Sequence, residues 1–167
     1  MAVRKTWALL RDVLAVETPD NRNVWSYYKL AVKLDHKPAI DCVAPMCVAA
    51  CPAEEMQSFA TLMMEREILS DQQILEQAAA LKDVLEKKAW LKLIGTSCSY
   101  DYAKLEALAE AFSLGQPEAF ELFMKENFEK EYKTHRKEVM KQKIKALFSK
   151  LFSKKDKKNE VPETKED

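Results

Sequence analysis

Apolar positions recur every three or four residues along most of the chain, and no segment alternates cleanly with period two. That pattern predicts helices and no sheet. A first helix over about 3–16 places Trp7, Leu10, Val13 and Leu14 on one face, and Glu17-Thr18-Pro19-Asp20-Asn21 reads as a turn. A second helix over about 22–35 carries Val24, Trp25, Tyr28, Ala31, Val32 and Leu34, and ends at His36-Lys37-Pro38. Residues 39–51 are small and apolar, with Pro45 expected in the first turn of a short helix. Pro52 then opens a helix that runs to about Ile68 and buries Met56, Phe59, Ala60 and Met63.

Ser70-Asp71-Gln72-Gln73 reads as a capping box. The helix after it is expected to be long, with Ile74, Ala78, Leu81, Leu85, Trp90 or Leu91, and Ile94 apolar, and with Gly95 as its terminator. A helix at about 100–113 stops at Gly115. Pro117 starts a last helix through Phe120, Phe123, Met124, Phe128, Tyr132, Val139 and Met140. The expected fold is therefore all-α: a compact bundle of about six helices, a basic amphipathic C-terminal helix and a short disordered acidic tail. The corresponding divisions are 1–135, 136–158 and 159–167.

Composition sharpens this picture at two points. Only two glycines occur, Gly95 and Gly115, so tight hairpins and phosphate-cradling loops are excluded. The net charge is zero but unevenly spread. Residues 136–158 carry ten Lys or Arg and two acids, a net of +8; residues 159–167 carry −3, which leaves −5 for residues 1–135. Asn159–Asp167 has almost nothing to bury, hence the expected disorder.

The basic segment gives the clearest functional signal. From Lys141 to Lys155 there is no acidic residue, and Ile144, Leu147, Phe148, Leu151 and Phe152 fall on one helical stripe. Lys143, Lys145, Lys150, Lys154 and Lys155 cover much of the rest. A basic helix with an apolar stripe suits an anionic partner that also offers apolar contact, such as a lipid surface or an acidic protein groove. The alternative is a nucleic-acid-binding module that uses the same lysines on phosphates. The apolar stripe disfavours it, because Phe148 and Phe152 align with the aliphatic residues rather than with the lysines.

Candidate chemistry is otherwise sparse. Cys42, Cys47, Cys51 and Cys98 contain no C-x2-C element, and the first three lie within a helical segment of Ala and Val, so they read as packing residues with free thiols. His135, with Glu131 and Glu138 on its helical face, reads as an exposed salt-bridged histidine, and His36 as a helix end. No nucleophile, P-loop, zinc or dinucleotide motif is present. The expectation is a non-enzymatic adaptor or accessory subunit with no cofactor, no metal and no small-molecule substrate.

No apolar run approaches the ~20 residues needed to span a bilayer. Arg4, Lys5, Arg11 and Asp12 interrupt the start, unlike a secretory signal. An amphipathic organelle presequence is a lesser alternative, weakened by Asp12 and by the lack of serine. A reducing cytoplasmic setting, with peripheral membrane contact, is the expected location.

Overall fold

The computed structural model of the protein describes Ala8 and residues 23–156, with side chains through residue 150. The expected helix at 3–16, the presequence question and the tail at 159–167 lie outside the described residues. Eight α-helices and one 3-10 turn make up the described chain, which contains no strand. They are α1 Val24–Lys33, α2 Lys37–Ala50, the 3-10 turn Ala53–Glu55, α3 Met56–Glu65, α4 Asp71–Ala79, α5 Val84–Ser97, α6 Tyr102–Leu108, α7 Pro117–Asn127 and α8 Glu129–Asp156.

The all-α expectation holds, while several boundaries move. The long helix expected after Ser70 is two helices, α4 and α5. Ser70 and Gln73 form the reciprocal capping box that opens α4. Asp83 then caps α5 by accepting from the amides of Leu85 at 2.7 Å and Glu86 at 3.3 Å. That local carboxylate–amide pairing starts a new helix where helix-favouring alanines would otherwise carry the old one through. The last expected helix also divides. Phe128 leaves helical geometry, with φ −137° and ψ 51°, and tucks its ring into the core.

Three helix ends, at Asp35, Glu67 and Ser99, and the turn that follows α6, at Ser113, close through residues in the left-handed region. At each, the next amide reaches back five residues: His36 to Ala31, Ile68 to Met63, Tyr100 to Gly95 and Leu114 to Ala109, at 2.7–2.9 Å. These are Schellman ends built without glycine. Gly95 and Gly115 are therefore not the terminators. Gly95 lies inside α5, where an added Cβ would stand 2.9 Å from the Phe128 ring and 3.1 Å from Leu105. Its job is to admit that ring. Pro45 is likewise not at a helix start but inside α2, whose first turn holds Pro38. The backbone bond lost at Pro45 would have ended on Asp41, an exposed residue. Pro52 opens the 3-10 turn, and α3 ends at Glu65, short of Ile68.

The core runs the length of the bundle. Phe59 joins α1 to α5: its ring lies 5.3 Å from Tyr28 and 6.1 Å from Trp90. Trp90, Phe59, Phe112, Met63, Ile74 and Leu91 are among the largest fully buried side chains.

Candidate docking arm and adjoining groove

The first turns of α8 are fixed to α6 and α7. Tyr132 is buried and its hydroxyl donates to the Glu121 carboxylate of α7. Arg136 donates to the Tyr132 oxygen at 3.4 Å. The His135 imidazole stacks on the Tyr102 ring of α6, with centroids 3.6 Å apart and planes 3° from parallel. Tyr102 in turn meets Phe120 edge-on at 5.4 Å, and burial pushes its phenol above the ordinary tyrosine range. The expected exposed, salt-bridged His135 is thus corrected. It is half-buried, because the flat imidazole gains more by covering an aromatic face than by meeting Glu131 or Glu138 at the surface.

Beyond His135, α8 parts from the bundle. Val139 is half-buried; from Met140 to Lys150 every residue is exposed. Between the departing helix and the α6–α7 region lies a groove of about 980 Å³. Its floor includes Ala109, Leu114 and Phe120, and α8 contributes Val139, Met140 and Lys143 to the opposite wall. The groove joins α6 to α8 across a long stretch of sequence, so nothing local in the sequence marks it.

Four large apolar side chains stand on the exposed part of α8, three of them, Ile144, Leu147 and Phe148, from the stripe expected from sequence. Met140, Ile144, Leu147 and Phe148 are 59%, 48%, 61% and 56% exposed. Lys141, Lys143, Lys145 and Lys150 are exposed as well. Leu151, Phe152, Lys154 and Lys155 continue the same helical backbone, and their side chains lie outside the described residues. At ~100° per residue, Tyr132, His135 and Val139 share the face turned to the bundle, while Ile144, Leu147 and Phe148 centre about 140° away, with Met140 between the two on the groove wall. The apolar stripe does not continue the packing face. It is rotated off the body.

Cys47 packs as a buried apolar group, and Cys51 and Cys98 are half-buried beside the core. All four cysteines are free. Cys47 is fully buried, and burial pushes the Cys47 and Cys51 thiols up to about 12. Cys42 is exposed and turned away from them. Cys98 lies 3.9 Å from the Met64 sulfur, and desolvation raises its thiol above the usual range. His36 caps α2, its Nδ1 accepting from the Ala39 amide at 3.2 Å. Among the described residues no group of three or more His, Cys, Asp or Glu side chains is arranged to hold a metal ion.

One polar cluster sits at the opposite side of α6. The Tyr100 hydroxyl donates to Asp71, which holds that carboxyl below the ordinary aspartate range. Lys104 stands 3.5 Å from Asp71 and 3.6 Å above the Tyr100 ring. This ties the start of α4 to α6.

No described helix is long and apolar enough to cross a membrane. No family model, no curated protein and no solved structure matches this chain.

Proposed function

We propose that the protein is a non-enzymatic adaptor or accessory subunit that docks through the second half of α8 to an anionic surface, with a lipid leaflet as the best fit. The bundle of residues up to about 135 is the body, and residues 136–158 are the docking element. The rotation of the apolar stripe away from the packing face carries this reading. A stripe turned off the body lets a flat surface approach without meeting the bundle. Lysines border the stripe on both edges, Lys143 on one side and Lys141 and Lys145 on the other, as suits headgroups on either side of an inserted helix. Each lysine near an anionic leaflet contributes up to ~1 kcal/mol. Ile144, Leu147, Phe148, Leu151 and Phe152 supply the apolar contact; Lys150 and Lys154 extend the basic border, and Lys155 adds charge at the end of the stripe. Nucleic acid makes no use of such a stripe. With free thiols, the working setting is a reducing cytoplasm.

Cosedimentation with phosphatidylcholine vesicles, with and without phosphatidylserine, tests the proposal. The full chain should bind only the vesicles containing phosphatidylserine, and less at raised salt. Ile144→Glu with Leu147→Glu should remove that binding, because it places charge where apolar contact is needed. Binding that ignores phosphatidylserine, or survives the double substitution, contradicts the proposal.

A further inference from the structure

We infer that the basic half of α8 has a second docking surface, the outer face of α7 in a second copy of the chain. The inference rests on the reading of α8 as a docking arm and names another acidic surface for it.

The body's negative charge is concentrated beside the arm. Residues 101–127 hold six acids and two lysines, a net of −4. On α7, Glu118, Leu122 and Glu126 stand four residues apart and so share a face. All three are exposed, Leu122 at 56%. Neither Glu118 nor Glu126 makes an ion pair among the described residues. This face offers an apolar side chain between two carboxylates, with Lys125 as the one base on its edge. The arm offers the reverse: Ile144 and Leu147 between lysines, of which Lys141, Lys143 and Lys145 also lack an ion pair among the described residues. The two surfaces match in charge and in apolar content.

They cannot meet within one chain. α8 is continuous from Glu129 and passes its own α7 at the Tyr132–Glu121 contact. At 1.5 Å per residue, Leu147 lies ~20 Å further along the helix axis than Tyr132. A second copy can bring its α7 to the arm, and the same operation brings the first copy's α7 to the second arm. A two-fold dimer then forms both contacts at once, so each strengthens the other.

Sedimentation velocity of the full chain over a concentration series, at low and raised salt, tests this contact. The protein should pass from monomer to dimer with concentration, and salt should weaken the dimer. Glu118→Lys with Glu126→Lys alters two exposed positions and should raise the dissociation constant by about tenfold or more, through like-charge contact with the arm. An equimolar mixture with a Lys141→Glu, Lys145→Glu chain should recover a dimer. The Glu118→Lys, Glu126→Lys chain should still bind vesicles containing phosphatidylserine, because its arm is intact. A chain that binds those vesicles but stays monomeric at every concentration overturns the second-copy contact alone. So does a dimer indifferent to the charge reversal. A chain that neither dimerises nor binds vesicles overturns the docking arm as well.

Discussion

The two halves of α8 are one unbroken helix with opposite surroundings. In the first half, Tyr132 and His135 are held by Glu121 and Tyr102. In the second half, Ile144 and Leu147 stand exposed among lysines. The difference shows how an exposed helix is sustained. Starting a helix is the unfavourable step, and each further residue adds a hydrogen bond for one more residue fixed. The packed half supplies the start. The second half needs only propensity, which Lys, Ala, Leu and Gln provide. Packing therefore decides where α8 begins, and its outer part is left exposed.

Three substitutions sharpen that contrast, in descending order of effect. Trp90 is 2% exposed and touches Phe59 at the centre of the bundle. Trp90→Ala should cost about 3–5 kcal/mol in urea unfolding, and a cost near that of a surface change would mean the core lies elsewhere. Gly95→Ala sets two effects against each other. Alanine favours the helix by about 1 kcal/mol, but its Cβ would meet the Phe128 ring at 2.9 Å. Overpacking of about 1–3 kcal/mol should win and lower stability. A stabilised Gly95→Ala would show that Phe128 yields freely and that the α7–α8 junction is loose. The smallest effect belongs to Ile144→Glu with Leu147→Glu, which should change the stability of the monomer, measured at low protein concentration, by no more than about 0.5 kcal/mol while it removes vesicle binding.

Much of this architecture was legible in the sequence where local chemistry decides it. Ser70 with Gln73, and Pro117 at a first helical position, mark helix starts that depend only on nearby backbone. The split at Asp83 also had a signal, an aspartate with Glu86 three residues on, but Ala78-Ala79-Ala80 before it favour helix and mask the break. Gly95 misleads for a different reason. A glycine that ends a helix and one that admits a distant ring are identical in sequence, and only the position of Phe128 separates them. The left-handed helix ends at Asp35, Glu67 and Ser99, and the left-handed turn residue Ser113, carry no glycine to announce them.

The candidate site divides the same way. The stripe from Ile144 to Phe148 follows from spacing alone. Its direction relative to the body does not, because that depends on Tyr102 and Glu121, which lie on other helices. The acid-flanked Leu122 is likewise visible as spacing, but its exposure follows from Phe120, Phe123 and Met124 claiming the inward face of α7.

The central claim is that α8 is body at its start and arm beyond Met140. Deleting residues 141–167 tests it most directly, with thermal unfolding and phosphatidylserine-vesicle binding measured on the same preparation. With melting measured at a concentration where the full chain is monomeric, the account predicts a transition displaced by no more than the equivalent of about 0.5 kcal/mol and complete loss of vesicle binding. A truncated chain that unfolds, or melts far below the full-length protein, would show that the stripe completes the core and would contradict the account.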